Sequence, residues 1–509
     1  MITPLDLNKN GVIKDIQPAL LGSAWSHGLN VHFDEGNARS AHAWVPVSST
    51  EEDPYAVWSI QRPTYTVVVY AGIENMFALT GQVSTDITRQ SAPYSGGSLQ
   101  RWTATSFNGL VVFNNTLDPP QAWSPVDPSV RLVDLPNWPS GAVANVVRAF
   151  KNYLVALGVS GEERLVKWSH SAAVGQLPTS WDEADATKEA GEVILGGSSD
   201  ALVDCLPLGG INVIYGQSSI NLMSPAPLPF VFGFSEVSRQ AGLLSVDCVT
   251  EFLGQHFVLS SDDVIVFSGS GIRSVAEGKI RKWLFREMDS QNYKLSRVVK
   301  NQRAREIWIL FPESGTSLLT KAAVWNWAYD TWTIVDVPGL RGAAEQLFVV
   351  SGAEGIWEGD PSTWDDASGT WDGDTRVGSA FSGWFIGALP GLESSIVAYD
   401  SSTVMESAAV IERKGLASEW GPGWRKLCLG VWPVIEGENG QKFSISVGSH
   451  DTPDGEVAWQ PEKTWTVGEP KVDFYVEGRY LAIRLKSMAP WGRWKILGIE
   501  IDLARTGRL

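Results

Sequence analysis

The first residues whose types and spacing could support chemistry lie near the N-terminus. In the stretch DLNKNGVIKDIQ, Asp6, Asn8 and Asn10 occupy oxygen-ligand positions of a calcium loop, and Gly11 stands where such a loop turns sharply. The last ligand of a calcium loop is a bidentate Glu, whereas this chain has the uncharged Gln17. A capped turn or a disordered terminus explains the pattern better than calcium, so we expect no metal site.

Four carboxylates lie close together in the stretch TWDDASGTWDGD. Paired carboxylates can carry out acid–base hydrolysis or bind a cation. The spacing does not fit the Asp-box of sialidase propellers, and tryptophans flank the acids, so a solvated turn is the favoured interpretation. The four residues are Asp365, Asp366, Asp372 and Asp374.

The other residue types form no catalytic motif. The six histidines have neither HExxH nor HxH spacing, and the chain has no GxSxG elbow and no GxxxxGK[ST] phosphate loop. Cys205, Cys248 and Cys428 give no disulfide framework and no CxxC metal spacing, and we interpret them as buried small side chains. We therefore expect a protein that is not an enzyme and needs no cofactor.

The elements that position these residues are β-strands. An apolar strand, a tight polar turn and a second apolar strand recur along the chain, as in YTVVVYAGIENMFALTG and SVDCVTEFLGQHFVLSSDDVIVFSG. Such strands form antiparallel sheets, and sheets that recur about every 45 residues predict the blades of a β-propeller. The 24 tryptophans among 509 residues also favour pleated, half-buried surfaces.

The sequence predicts an all-β chain with a β-propeller over residues 51–404. Lone hairpins at 65–80 and 345–358 predict that both ends of the propeller contribute to one composite blade. With five fuller sets of strands between them, six blades are the favoured count and seven the alternative. The Trp- and Asp-rich stretch 360–375 is predicted to be an exposed loop of this domain.

Two further regions flank the predicted propeller. Residues 1–50 are predicted to form an N-terminal segment with a hairpin, and residues 405–509 a β-sandwich, because strands such as KFSISVGSH alternate apolar and polar residues. Trp and Arg dominate interface hot spots, so those of the sandwich are candidate contacts with a neighbouring subunit. Packing within the sandwich, or an exposed C-terminal tail, remains the alternative. The candidates are Trp491, Arg493, Trp494, Arg505 and Arg508.

The formal net charge of the chain is −17. This argues against specific nucleic-acid binding, which needs Lys and Arg to neutralise phosphates, although an acidic channel wall would let DNA slide without adhering. The N-terminus MITPLDLNKNG lacks the apolar region of a signal peptide, and no stretch approaches the roughly 20 apolar residues that span a bilayer. We expect a protein made in a cytoplasm and not inserted in a membrane.

Several short motifs follow one another in the order found in one protein family. Together they resemble the tail nozzle, or hub, proteins of short-tailed bacteriophages. The family pattern that precedes the propeller is matched in LLGSAWSHGLNVHFDEGNARS, and later matches cover most of the chain, each only a few residues long. The matching residues are Trp25, Asn30, Phe33 and Gly36, then Trp168, Ser169, Trp181 and Gly191, and Trp325 where Tyr is usual.

The resemblance implies a structural virion protein that is assembled in the host cytoplasm and located in the phage tail. Members of this family form a ring, usually of six copies, below the portal and adaptor proteins. They build the channel through which DNA leaves, retain the packaged genome and support needle, spike or fibre proteins. For this chain the resemblance implies a homohexameric ring through which DNA passes without specific binding, and an acidic channel wall is the matching hypothesis for its charge.

Two alternatives remain open. A propeller glycoside hydrolase of the sialidase type would need acids and an Arg cluster that converge at the propeller centre, together with Trp platforms for sugar. A receptor-binding, lectin-like tail protein would also be rich in β-structure and contain several domains.

Overall fold

The computed structural model describes residues 2–508 apart from 62–65, 81–82, 98, 100, 128, 197–199, 228, 350–380, 392, 418–419 and 439. In this part of the chain nearly all regular structure is β-strand, which confirms the predicted all-β class. The helical elements described are one α-helix, Arg281–Glu287, and two 3-10 turns, Pro18–Leu20 and Tyr293–Leu295. No helix among the described residues is long and apolar enough to cross a membrane.

Seven four-stranded antiparallel sheets within the described residues form the blades of a β-propeller. From the inner to the outer strand, blade 1 consists of Ala56–Gln61, Thr66–Ala71, Met76–Thr80 and Val83–Asp86, and blade 2 of Thr103–Phe107, Leu110–Asn114, Gln121–Trp123 and Val133–Asp134. Blade 3 consists of Val146–Phe150, Tyr153–Val159, Glu162–Trp168 and Gly191–Ile194, and blade 4 of Leu202–Leu208, Ile211–Gly216, Ile220–Pro225 and Phe232–Ser238. Blade 5 consists of Val249–Phe252, Gln255–Leu259, Val264–Phe267 and Ile272–Ser274, and blade 6 of Arg297–Asn301, Glu306–Phe311, Leu319–Asn326 and Thr331–Leu340. Blade 7 consists of Gly342–Val349, Phe381–Leu389, Ser395–Val404 and His42–Ser49.

A strand from the N-terminal part of the chain closes the ring of blades. His42–Ser49 pairs antiparallel with Ser395–Val404 as the outer strand of blade 7, and Val45 lies opposite Ala398. The inner strand of blade 7 contacts the inner strand of blade 1, so the last blade meets the first. The predicted composite blade is present, and its inner strand contains the described part of the predicted hairpin 345–358, but its N-terminal strand is His42–Ser49 and not the hairpin 65–80.

The described residues form seven blades, the predicted alternative, rather than the favoured six. The stretch 65–80 is not a lone hairpin, because its two strands lie in the middle of blade 1 between Ala56–Gln61 and Val83–Asp86. The outer strand of that blade is only four residues long and mostly polar, so its sequence gives little strand signal. The predicted hairpin 345–358 lies mostly outside the described residues, and its described part pairs with Phe381–Leu389 instead.

Aromatic side chains fill the seams between neighbouring blades. Between blades 5 and 6, Phe257 stacks on Trp325 with ring centres 5.5 Å apart, and Phe252 meets Trp325 edge-on at 5.5 Å. Between blades 1 and 2, Trp58 meets Phe113 edge-on at 5.1 Å. Such pairs contribute about 0.5–1.5 kcal/mol each beyond the burial of their area. The seams therefore stabilise the ring as well as separate the blades.

Two six-stranded antiparallel sheets form the predicted β-sandwich and enclose one apolar core. The first sheet consists of Ile2–Leu5, Val31–Asp34, Asn37–Ser40, Trp424–Gly437, Val472–Gly478 and Trp494–Arg508. The second sheet consists of His27–Leu29, Val410–Leu416, Lys442–His450, Ala458–Trp459, Lys463–Thr466 and Tyr480–Met488.

Both ends of the described chain build the sandwich. The strand Ile2–Leu5 pairs with Trp494–Arg508, and three more strands within the first 40 residues join the two sheets. Residues 1–50 are therefore not the separate segment that the sequence predicts. Their first part completes the sandwich, and His42–Ser49 completes blade 7, because the chain crosses from one domain to the other between these strands.

Candidate functional site

The starts of the seven inner strands lie at one end of the propeller channel. In blades 1 to 6 the chain enters at the inner strand, and the inner strand of blade 7 directly follows blade 6, so the inner strands run in one direction and bring their first residues together around the axis. Arginines stand at or near the starts in blades 2, 3, 6 and 7. They are Arg101, Arg148, Arg297 and Arg341. In a chain of net charge −17, such a group of cations marks this end of the channel as distinct.

Two aspartates bind two of these arginines. Arg148 donates from Nε to Asp204 Oδ1 and from Nη2 to Asp204 Oδ2, both at 2.7 Å, and Nη2 also donates to Asp247 Oδ1 at 2.6 Å. Arg297 donates from Nη1 to the other oxygen of Asp247. Burial alone would raise the pKa of Asp247, but the charges of Arg148 and Arg297 outweigh it and lower this pKa to about 2.

Arg101 reaches across the axis without meeting a carboxylate. Its Nη1 donates to the Ser245 hydroxyl at 2.8 Å and to the Val246 carbonyl at 3.3 Å, so a residue of blade 2 contacts the loop before blade 5. Burial, together with the nearby charge of Arg297, lowers the pKa of Arg101 to about 10. This guanidinium is therefore still charged at neutral pH, but its charge is poorly balanced.

Arg341 extends the group from the start of blade 7. Its guanidinium carbon lies 3.8 Å from the centre of the Tyr55 ring, and its Nη2 lies 3.7 Å from Asp53 Oδ2. The side chain of Asp53 is 41% exposed, so solvent screens this ion pair. Burial lowers the pKa of Arg341, which indicates that Asp53 does not compensate the lost hydration.

A cavity of about 80 Å³ opens between three of the arginines. The Nε atoms of these three residues are buried and have no hydrogen-bond partner in the described structure. Among the described residues, no carboxylate lines the cavity, so its chemistry suits an anion. The lining residues are Arg101, Arg297 and Arg341, with Ser317, Tyr55, Leu99 and Leu295.

A second polar arrangement joins the sandwich to blade 6 through Asn30. Its backbone nitrogen donates to the Ile334 carbonyl at 2.9 Å, its Oδ1 accepts from the Asp336 nitrogen at 2.8 Å, and its Nδ2 donates to Asp336 Oδ2 at 3.0 Å. The φ of Asn30 is +58°, in the left-handed region that Asn tolerates better than most residues. One residue thus binds the outer strand of blade 6 through both its backbone and its side chain.

A buried histidine connects the same joint to two blades. His32 Nδ1 lies 2.8 Å from Glu306 Oε1 in blade 6, and His32 Nε2 lies 2.8 Å from the Tyr399 hydroxyl in blade 7. Burial alone would raise the pKa of Glu306, but its interaction with His32 outweighs this and lowers the pKa. Asn30 and His32 therefore hold the propeller and the sandwich together through hydrogen bonds in addition to apolar packing.

The three candidate calcium ligands do not form a site. Asn8 is buried, its Oδ1 accepts a hydrogen bond from Trp25 Nε1 at 3.0 Å, and its Nδ2 donates to the Ile496 carbonyl at 3.0 Å. Asp6 and Asn10 are exposed. No group of three or more His, Cys, Asp or Glu among the described residues could hold a metal ion. Asn8 instead anchors a tryptophan of the sandwich core.

The candidate interface tryptophans point inward to different degrees. Trp494 is 5% exposed and packs edge-on against Phe443 in the sandwich core, with ring centres 5.4 Å apart. It is not available for the predicted subunit contact, because alternate side chains of its strand face the core. Trp491 is half-buried beside a small cavity that Asn30 also lines, whereas Arg493 is exposed.

Arg505 and Arg508 lie on a strand and not in a C-terminal tail. Both are exposed on Trp494–Arg508, which pairs with the strand that carries Trp424. Their guanidinium carbons lie 4.2 and 5.8 Å from the centre of the Trp424 ring. No described carboxylate forms an ion pair with either residue. The two cations are therefore held in place on an aromatic surface and remain free to meet an external anion.

None of the four channel arginines is among the site residues predicted from the sequence. Their signal is positional, because RWTATS, NVVRAF, SRVVK and LRGAA each place an Arg within three residues of the start of an apolar strand. Only the closed ring brings these separate positions together. The four carboxylates of the predicted loop 360–375 lie outside the described residues, so their arrangement stays a prediction.

The fold and site define a class: a seven-bladed β-propeller, joined to a β-sandwich, with an arginine-lined cavity at one end of the propeller axis. No family model matches the chain, and no curated protein matches its sequence.

Solved structures that resemble the chain do so at low identity. One is the β-propeller domain of Cps50 (Swd1) from Myceliophteria thermophila, with a TM-score of 0.40 and 7% identity over 71% of this chain and 100% of that one. A chain of a mitotic checkpoint complex has a TM-score of 0.37 and 9% identity over 60% of this chain and 89% of that one. PorZ of the type-IX secretion system of Porphyromonas gingivalis has a TM-score of 0.36 and 9% identity over 85% of this chain and 46% of that one.

Proposed function

We propose that this chain is a structural subunit of the tail nozzle, or hub, of a short-tailed bacteriophage. In this proposal it forms a ring below the adaptor and portal proteins, surrounds the DNA exit channel, retains the packaged genome and supports needle, spike or fibre proteins. The observation that carries the proposal is the exposed pair Arg505 and Arg508, held on Trp424 without a described carboxylate partner. In an acidic protein this pair is a natural contact for a second copy.

An acidic surface on blade 3 provides the complementary partner. Residues 160–192 contain seven Asp and Glu against three Lys and Arg. Glu163, Asp182 and Glu189 are among the exposed carboxylates of this stretch. A contact between two different surfaces of identical subunits generates a ring when the rotation between them closes. We therefore place the basic edge of one sandwich against blade 3 of the next copy.

The residues that carry the resemblance support a structural role. Asn30 joins the sandwich to blade 6, Trp25 and Phe33 are buried in the sandwich core, and Gly36 turns the chain between two strands with a φ of +75°. Through Asn30 the sandwich is held on blade 6 at a defined angle, and the other three residues support the sandwich itself. A subunit that forms part of a wall needs such a fixed angle, because small rotations accumulate around a ring.

The assembled particle provides the test. Mass photometry of the purified chain, alone and mixed with its phage's adaptor–portal complex, measures the copy number, and electron microscopy of the virion locates the chain. We expect a ring of about six copies around the DNA channel. A location at a fibre tip together with glycan binding would instead favour the lectin-like alternative and overturn the proposal.

One observation favours the hydrolase alternative, because an Arg cluster and carboxylates do converge at the propeller centre. However, Asp204 and Asp247 are both bound to arginines, so neither is free to act as a general acid. The cavity of about 80 Å³ is also far smaller than the roughly 300 Å³ or more of ordinary ligand pockets. Hydrolysis of a synthetic sialoside by the purified chain would support the hydrolase alternative.

A further inference from the structure

We propose that the cavity at the end of the propeller channel binds one tetrahedral oxyanion, such as phosphate or sulfate. Arg101, Arg297 and Arg341 would hold it through their guanidinium groups, and the Ser317 hydroxyl lines the same cavity. This site is separate from the surface on which the proposed ring depends. It goes beyond the nozzle proposal, since the anion would stabilise each propeller whatever its place in a larger assembly.

The hydrogen-bond balance of the arginines indicates a missing acceptor. Buried N–H groups in native structures are nearly always paired, yet the Nε of each of the three cavity arginines is buried and unpaired in the described structure. Leaving a buried charged donor without an acceptor is costly. A single oxyanion in the cavity would offer four acceptor oxygens to the guanidinium groups of the three arginines that line it.

The charge balance points in the same direction. Asp204 forms an ion pair with Arg148, and Asp247 forms ion pairs with both Arg148 and Arg297. Arg101 forms no ion pair with a described carboxylate and is attracted only by the more distant charge of Asp247, and Arg341 has the solvent-screened Asp53 at 3.7 Å. The cluster thus carries a surplus of positive charge, which an anion with more than one negative charge would offset.

The volume of the cavity and the number of arginines that line it indicate the class of anion. A water molecule needs at least about 10–15 Å³ of such a cavity, so about 80 Å³ accommodates roughly five to eight atoms of similar size. Phosphate and sulfate each have five. Their four oxygens point in four directions, whereas the two oxygens of a carboxylate lie in one plane and suit a single bidentate guanidinium. Three arginines from three different blades therefore fit the tetrahedral ion better.

Isothermal titration calorimetry of the full chain, first dialysed into chloride buffer, tests the site with sodium phosphate, sodium sulfate and sodium acetate at matched ionic strength. We expect saturable one-to-one binding of phosphate and sulfate, at least tenfold tighter than acetate. Absence of saturable binding by the wild-type chain, or acetate binding as tight as phosphate, would overturn the proposal.

Two matched variants locate the site. Arg341→Gln removes a cavity arginine whose side chain donates no hydrogen bond within the described residues, and should weaken phosphate binding at least tenfold. Arg286→Gln removes an exposed arginine of the α-helix Arg281–Glu287 and should leave binding unchanged. The melting temperature supplies a second readout, because phosphate should raise it in the wild type and in Arg286→Gln but not in Arg341→Gln. Equal stabilisation of all three proteins would also contradict the site.

Discussion

Arg148 and Asp204 face each other across the seam between blades 3 and 4, with two parallel N–H···O bonds of 2.7 Å. The side chains are only 13% and 2% exposed, so water hardly screens the pair. Arg148 also donates to the Ala104 carbonyl at 2.8 Å in blade 2. One guanidinium thus links three neighbouring blades close to the axis.

Removing this guanidinium should destabilise the propeller strongly. Arg148→Gln leaves Asp204 buried without its bidentate partner, and breaking a buried ion pair from one side costs roughly 3–5 kcal/mol. Urea unfolding followed by tryptophan fluorescence measures the free energy of unfolding. Arg164→Gln is the matched control, since Arg164 forms an exposed ion pair with Glu162 and its loss should cost less than about 1 kcal/mol. Similar losses for both variants would contradict this role of Arg148.

The same cluster predicts how stability changes in acid. The folded-state pKa of Asp247 is about 2, below the roughly 3.9 of an unfolded Asp. Its stabilising contribution is therefore complete above about pH 4 and is lost as the pH falls towards 2. Asp247→Asn should be less stable than wild type at pH 7, and the difference between the two proteins should shrink between pH 4 and pH 2. The control Asp262→Asn changes an exposed residue and should follow the wild-type curve.

The joint between the domains should depend on Asn30. Asn30→Ala removes both side-chain hydrogen bonds to Asp336 and puts Ala at a positive φ, so we expect a loss of about 2–3 kcal/mol in the free energy of unfolding. Asn30→Gly relieves the backbone strain but not the lost bonds, and should recover about 1 kcal/mol or less. Asn37→Ala is the control, because the side chain of Asn37 only donates to the nearby Glu35 carbonyl. Full recovery in Asn30→Gly would show that the side-chain bonds contribute nothing.

Local sequence patterns predicted the class of fold because each blade is a run of short-range hairpins. Alternation and turn residues within about 30 residues determine such hairpins. The strand that closes the ring, His42–Ser49, was not predicted, because Val45 pairs with Ala398 and no local pattern connects positions so far apart. The same limit applies to the sandwich, where Thr3 lies opposite Ile501.

Some of the residues that match the family motifs lie at positions of close packing. A Cβ at Gly191 would lie 2.5 Å from the ring of Trp168, so this Trp–Gly pair is a requirement of close packing in blade 3. The channel arginines were not predicted, because no local motif marks them as a group. Each stands alone in its own strand, and only the sevenfold arrangement of the blades gives the group its chemistry.

Ring formation should depend on the charge of the C-terminal strand. The double variant Arg505→Glu, Arg508→Glu reverses two exposed cations on Trp424 and should reduce ring assembly at least tenfold, because like charges would then meet at the proposed contact with blade 3. Raising the salt concentration should weaken the wild-type ring in the same way, since exposed charges are screened within about 10 Å at 0.1 M. Mass photometry of the mixture with the adaptor–portal complex measures both effects.

A charge swap makes the assignment of this contact specific. Adding Glu163→Lys and Glu189→Lys to the double variant restores opposite charges across the contact and should recover much of the ring, while the blade 3 changes alone should weaken it. Arg286→Glu, an exposed charge reversal elsewhere, should leave assembly unchanged. Rings that form equally well in all variants would place the contact on another surface. Because none of these changes touches the arginine-lined cavity, phosphate binding should persist in every variant, which separates a failure of the ring contact from a failure of the anion site.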